Sequence, residues 1–476
     1  MSKQGVNPFL PNYEYIPDAE PRIFDDCVYI YGSHDAFDGK SFCINDYICY
    51  SAKVNDLTNW RYEGVIYRRM QDPKAKKGVL SALFAPDVIK GLDDKYYMYY
   101  TVGFSGKISV AVCDSPAGSF QFLGYVKYPN GKLLGSNKDH FQFDPGLFID
   151  DDHKIYLYSG FAPKCFPLLN LMGKKIAKQG AMVMELEPDM LTIKTPYQYI
   201  AKTIFNSKGT SFAGHEFFEA SSMRKINGCY YFVYSSISGH ELCYAVSDKP
   251  DRDFKYGGTL VSIADLGISN KSLNHTGNTH GSLLSIGDKH YIFYHRQTNR
   301  NSFSRQACAE EITLVDQHFK QAEITSHGLN AKPLAGVGKY DATIACNLYT
   351  KKGTHFYGAT KHRKGHHAYF TQHGIDRLDN PNQYIANFNK KTIAAYKYFD
   401  FDNPSTIAVD IKGKATGKII VSLQEDTDTV AEILISKTKE TTRFTAKLAT
   451  IKGKQALYFK FVGKGNFDFT AFELLK

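Results

Sequence analysis

DDKYYMYY, residues 93–100, is a polar turn running into an aromatic strand, and its reading decides the fold. Alone it would be one hairpin among many. The chain repeats it as DDCVYIY (25–31), DDHKIYLY (151–158), NGCYYFVY (227–234) and GDKHYIFY (287–294). The last tyrosines of the five copies, Tyr31, Tyr100, Tyr158, Tyr234 and Tyr294, are spaced by 69, 58, 76 and 60 residues. Each unit is rich in Tyr, Ile, Val and Phe, is punctuated by Asp, Asn and Gly, and lacks a long 3.6-residue stripe. Radial repetition of such sheets makes a β-propeller, so five copies predict five blades in an all-β fold. Because the period exceeds the roughly 40–50 residues usual for a blade, insertions between strands are expected, lining one face.

In a propeller the innermost strands surround the axis, and the residues that start them face a shared cavity. Counting back from the marker tyrosines finds Asp18, Asp87, Asp144, Glu219 and His280, at offsets of 13, 13, 14, 15 and 14. Two short strands and a turn span such a gap. Capping of turns would explain any one of these residues, since Asp beside Pro is common in loops. Five ionisable groups at equivalent places point instead to four carboxyls and an imidazole converging on the axis. Like charges in one cavity repel, so one carboxyl is expected to hold its proton while another stays ionised.

The 476 residues carry a formal charge of +10, 43% hydrophobic and 14% aromatic residues, and a single tryptophan, Trp60. That length predicts more than one domain, and that composition a folded core. The basic clusters KAKK (74–77), KKIAK (174–178) and KHRK (361–364) are short, and they read as solvated surface rather than a nucleic-acid patch. No signal-peptide core or membrane-spanning run is seen, and nine cysteines without a C-x-x-C pair read as reduced thiols. The expectation is a cytoplasmic protein whose partner is neither nucleic acid nor membrane, with room for a homo-oligomer.

Carboxyls and aromatics in one pit, without a phosphate-binding loop, a G-x-S-x-G elbow or an H-E-x-x-H helix, suit glycosidic bond hydrolysis. One carboxylic acid protonates the leaving oxygen and one carboxylate activates water or attacks the sugar, while Tyr and Phe faces pack on sugar C–H surfaces.

The stretches NPFLPNYEYIPDAEPRIF, FAPDVIKGLDDKYYMYY, FDPGLFIDDDHKIYLY, FFEASSMRKINGCYYFVYSS and NTHGSLLSIGDKHYIFYHR resemble glycoside hydrolase family 43 over about residues 7–335. The resemblance implies a five-bladed propeller that inverts anomeric configuration. It implies Asp18 as general base, Asp144 as the residue that orients the acid and raises its pKa, and Glu219 as general acid. Asp87 would be supportive, His280 would hold water or a calcium ion in the central channel, and Arg296 would reach the sugar hydroxyls. Phe37 and Phe84 are the candidate walls of the sugar subsite, Phe84 standing where the family often has Trp. Glu20 and Glu216 compete with Asp18 and Glu219; the offset of 18 from Tyr234 argues against Glu216. An inverting acid and base are expected about 6.5–9.5 Å apart. No cofactor is implied for the chemistry; the channel calcium would be structural.

After the Gly-rich link GLNAKPLAGVGKY (328–340) the texture changes to period-two alternation, as in STIAVDIKG, GKIIVSLQ and QALYFKFVG. This predicts a propeller over 1–330 and a β-sandwich over 340–476. ALYFKFVGKGNFDFTAFELL and YKYFDFDNPSTIAVDI resemble parts of a family 6 carbohydrate-binding module. Without an exposed Trp, packing support is the favoured role of this domain over carbohydrate binding. KHRKGHH (361–367) reads as an exposed loop rather than a metal site. The resemblance implies exo-acting removal of terminal α-L-arabinofuranosyl or β-D-xylosyl units from hemicellulose-derived oligosaccharides, leaning to arabinofuranosides. The rival readings are a non-catalytic sugar-binding propeller, a retaining fructosidase-type propeller, whose N-D-P-N-G and R-D-P motifs are absent, and a basic scaffold protein.

Overall fold

β-Branched and aromatic residues between polar turns make each repeated copy the second strand of an antiparallel meander. The computed structural model describes residues 4–476, apart from 77, 137–138, 166–172, 174, 355, 358–366 and 375–381. Lys77, Lys174 and the run from Lys361 to His366 therefore lie outside the described residues. Five sheets follow one another along the chain, with strand order equal to sequence order in each. Their inner strands are Glu20–Phe24, Leu83–Lys90, Gly146–Ile149, Phe217–Ile226 and Leu283–Ile286. The hairpin copies form the neighbouring strands Cys27–Tyr31, Tyr96–Val102, Ile155–Ser159, Cys229–Ser236 and Lys289–Gln297. Blades I to IV have four strands and blade V three. Tight turns join the first two strands of blades I, IV and V; in blade IV, Asn227 and Gly228 both take the left-handed conformation (φ 51° and 81°) that a two-residue hairpin requires.

The marker tyrosines explain the repetition. Tyr31 and Tyr100 share one core cluster between blades I and II, Tyr158 and Tyr234 another between III and IV, and Tyr294 packs beside Tyr231 and Tyr244. Each brings a large apolar ring to an inter-blade seam and finds a partner for its buried hydroxyl. Tyr31 donates to Pro116 O at 2.6 Å, Tyr158 to Pro250 O at 2.8 Å, Tyr234 to His215 O at 2.7 Å and Tyr294 to Glu310 Oε1 at 3.0 Å. The ring closes through the N-terminal segment, which lies along the last strand of blade V. Phe9 N donates to Ala307 O, and the Asn7 side chain bonds Ala309 N, Ala309 O, Glu310 and Thr325 O.

Long connections gather at the end of the ring where the inner strands begin: 32–46, the described residues of 126–145 and of 160–180, and 263–282. These are the insertions expected on one face. Beyond the propeller, two six-stranded sheets pack a second core that includes Phe388, Tyr396, Phe459 and Phe472. Strands Leu334–Ala335 and Gly338–Asp341 already belong to these sheets, so the sandwich starts before residue 340. The opening of the chain reaches it too, since Ala335 N donates to Gln4 Oε1 at 2.6 Å.

Candidate active site

Asp18 and Asp144 each stand two residues before an inner strand, and both adopt the left-handed backbone (φ 60° and 46°) that Asp tolerates better than most residues. Glu219 lies inside its strand, at a bulge where pairing with Ser235 jumps to Ser222 with Val233. Ala220, next in line, is left-handed (φ 68°), a strained conformation for alanine that re-aims the preceding side chain. His280 precedes the inner strand of blade V. The four side chains share one cavity of about 540 Å³ at the mouth of the ring. Phe84, Phe143, Phe161 and Phe218 form a chain of rings along its wall, with successive centroids 4.9, 5.1 and 5.4 Å apart.

Arg305, the first residue of the last strand of blade V, is buried and forks onto Asp35 at 2.8 and 3.0 Å while its Nη1 donates to Asp18 Oδ1 at 3.0 Å. Burial raises the Asp18 pKa, but Arg305, with His280, outweighs it and holds the carboxyl below its ordinary value. His295 is pushed down to about 3 by burial and by Arg305, so its ring is neutral: Nε2 donates to Asn278 O at 2.9 Å, and Nδ1 accepts from Asp18 N at 3.4 Å. Glu219 is pushed the other way. Burial, then the charges of Asp144 and Asp18, raise it well above the usual range against a smaller pull from Arg305. Asp144 Oδ2 accepts from Ala220 N at 3.2 Å and faces His280 Nδ1 at 3.4 Å. Burial lowers the His280 pKa, but Asp144 first, then Asp18 and Glu20, leave it raised. One cavity thus contains one carboxyl held below its ordinary pKa, a second pushed well above it and a third acid that accepts a backbone bond beside the second.

Three residues expected at the sugar lie elsewhere. Asp87 is sealed in the channel beneath, paired with Arg22 at 2.9 and 2.5 Å and accepting from Leu147 N at 2.7 Å. Arg296 faces the second domain, donating to Gln306 Oε1 and Thr343 O and stacking over Phe370 at 4.0 Å. Phe37 packs on Tyr15, 5.7 Å between centroids, and Phe42 lines the cavity instead. Of the competitors, Glu20 accepts from Arg224 at 2.5 Å and Ser222 at 3.0 Å in the channel, and Glu216 accepts from Ser207 and Gly214 N. Arg305, Asp35 and His295 were not singled out from the sequence. Strand alternation could have found His295, because Arg296 shares a face with Tyr294 and His295 does not.

The channel expected to take calcium holds two guanidiniums. Arg22 and Arg224 match Asp87 and Glu20, and Arg224 also donates to Leu283 O, Met223 O and Pro21 O. A divalent cation there would draw its ligands from acids that these arginines already occupy and would leave part-buried guanidiniums unpaired. His280, the residue expected to hold water or calcium, lies in the cavity instead, where its Nδ1 faces Asp144 Oδ2 at 3.4 Å. Among the described residues, His215, Glu241 and Cys243 form the one other cluster of metal-ligand type. Its carboxylate already serves His215, Ser236 and Thr259.

Residues 7–319 match the family model of glycosyl hydrolases family 43. A xylosidase/arabinosidase of Thermoclostridium stercorarium is 43% identical over all of this chain and 99% of its own length. A xylosidase/arabinosidase of Bacteroides ovatus is 29% identical over 60% of this chain and 87% of its own. Among solved structures, a family 43 β-xylosidase/α-arabinofuranosidase from a compost metagenome, in complex with xylotriose, aligns with a TM-score of 0.53 at 25% identity, covering 67% of this chain and 97% of that one. An arabinoxylan arabinofuranohydrolase from Bacillus subtilis aligns over 99% and 98% of the two chains with a TM-score of 0.52 at 20% identity, which carries the fold across both domains. On the match to its first two-thirds and the full-length identity together, this chain belongs to glycoside hydrolase family 43.

Proposed function

We propose that this glycoside hydrolase removes terminal α-L-arabinofuranosyl or β-D-xylosyl units from hemicellulose-derived oligosaccharides by a single inverting displacement. The observation that carries this reading is the opposed setting of two carboxyls in one cavity, Asp18 bonded to Arg305 and held below its ordinary pKa, Glu219 pushed well above its own by burial and by Asp144. Asp18 takes a proton from the attacking water while Glu219 gives one to the departing glycosidic oxygen. Asp144 positions the acid through Ala220 N, and the phenylalanine wall receives the apolar face of the sugar. A pit closed at its base by the Glu20–Arg224 and Asp87–Arg22 pairs supports exo action, because it admits a chain end and not a passing chain. The names of the full-length and shorter relatives support the two sugars.

No helix among the described residues is long and apolar enough to cross a membrane. All nine cysteines are unpaired, which supports a reducing compartment, the cytoplasm. Among the described residues of the sandwich the exposed large hydrophobics are Phe356, Leu434 and Val462, which favours packing support over a carbohydrate-binding face of its own.

Hydrolysis of the paired aryl arabinofuranoside and aryl xyloside, with the product anomer read by NMR at early times, tests the reading. Inversion is expected, and retention would exclude it. Glu219→Gln should lose about 10²–10⁴-fold on sugars with poor leaving groups and much less on activated aryl glycosides. Equal loss on both would assign the acid to another residue.

A further inference from the structure

The shorter relatives contain the family chemistry without a second domain: those from Bacteroides ovatus and Humicola insolens align over 87% and 89% of their own length with only 60% of this chain. Anything the sandwich adds to the cavity is therefore additional to that chemistry. It adds Phe356, which lines the cavity although it lies beyond the Gly-rich link. The ring is 48% exposed, and its backbone is fastened on both sides. Thr354 Oγ1 donates to Asn274 O at 2.5 Å, Tyr357 N to Thr276 O at 2.9 Å, and Ser302 Oγ to Tyr357 O at 2.9 Å. The buried Tyr357 ring stacks on His275 at 4.1 Å, so the docking of this segment does not need the Phe356 side chain.

The position relates Phe356 to the acid. Thr276, bridged to Phe356, is followed by Gly277 and Asn278 of the cavity lining. Gly277 O lies 3.4 Å from where a Cβ on Gly239 would stand, and Ile237, two residues earlier, donates to Glu216 O at the start of the Glu219 strand. These contacts tie the Phe356 segment to the strand that carries Glu219. We propose that Phe356 is a substrate-positioning residue of the leaving-group subsite, lent by the second domain, and that it favours a sugar over a small leaving group. The inference rests on the hydrolytic reading above. A phenyl ring carried on a fastened backbone gives a flat apolar face with little backbone left to order on binding, and Ser238 and Asn278 line the same cavity with polar atoms for hydroxyls.

The test compares the full-length enzyme with Phe356→Ala and Phe356→Trp on two substrates that share a glycone, an oligosaccharide and the corresponding glycosyl fluoride. For Phe356→Ala the ratio of kcat/KM, oligosaccharide over fluoride, should fall about tenfold or more, chiefly through KM, and Phe356→Trp should restore it. An unchanged ratio overturns the inference. Calorimetric binding of the oligosaccharide to Glu219→Gln, with and without Phe356→Ala, keeps the two readings distinguishable. Weaker binding without the ring sustains the subsite even if hydrolysis is never seen. Equal binding removes the subsite and leaves the hydrolase standing.

Discussion

Asp18 and Glu219 are carboxyls buried in the same cavity, and their neighbours make them opposite. Arg305 keeps its proton throughout the working range, so the carboxylate it touches stays ionised. Glu219 is surrounded by burial and negative charge. The pH dependence follows with a definite sign: kcat/KM requires Asp18 ionised and Glu219 protonated, giving a bell whose acid limb lies below the ordinary carboxylate range. Asp144→Asn removes a charge that holds the Glu219 pKa up. The alkaline limb should therefore move to lower pH by about one unit, as read from the pH profile of kcat/KM. An unmoved limb would mean that Asp144 does not set the acid. Arg305 and Asp35 were not legible beforehand, because a residue opening a strand and one inside a long loop meet only through the ring closure.

At the level of the strand, counting from tyrosines locates blades well and depth poorly. Glu20 pairs with Tyr31 and Gly146 with Tyr158, so Asp18 and Asp144 are equivalent, each two residues above the marker level. Asp87 shares the offset of 13, yet a bulge after Phe84 sets it opposite Tyr99, three residues deeper than Asp18 and next to Arg22. All residues of Leu83–Lys90 except Lys90 are buried, so no apolar alternation marks the bulge, and the spacing could not demote Asp87. The glycine of F-D-P-G marks the same crowding. A Cβ on Gly146 would stand 2.3 Å from Ser221 O of the next inner strand. Gly146→Ala should destabilise by about 1–3 kcal/mol, measured as a lower denaturation midpoint, and a neutral result would show that the inner strands can part.

For the molecule as a whole, the axis is neutralised by the chain itself. Glu20, Asp87, Arg22 and Arg224 balance two negative against two positive charges, the acids buried, the arginines partly so, and all four hydrogen-bonded. A chelator should leave both kcat/KM and the melting temperature unchanged, and calcium should restore nothing; a loss reversed by calcium would contradict the ion-pair plug. The two domains behave as one site in the same sense. Arg296 is turned toward Phe370 and Thr343, and the Phe356 segment is fastened to the loops of blade V, so the sandwich is a wall of the enzyme and not a tethered accessory.

The all-β architecture, the five blades and the meeting of Asp18, Asp144, Glu219 and His280 were legible in the sequence, because hairpin periodicity and the start of each inner strand are local properties. The protonation state of each acid, the displacement of Asp87, Arg296 and Phe37 from the sugar, and the arrival of Arg305 and Phe356 were decided only in three dimensions. Those depend on register, strand face and contacts between segments hundreds of residues apart, which no local pattern encodes.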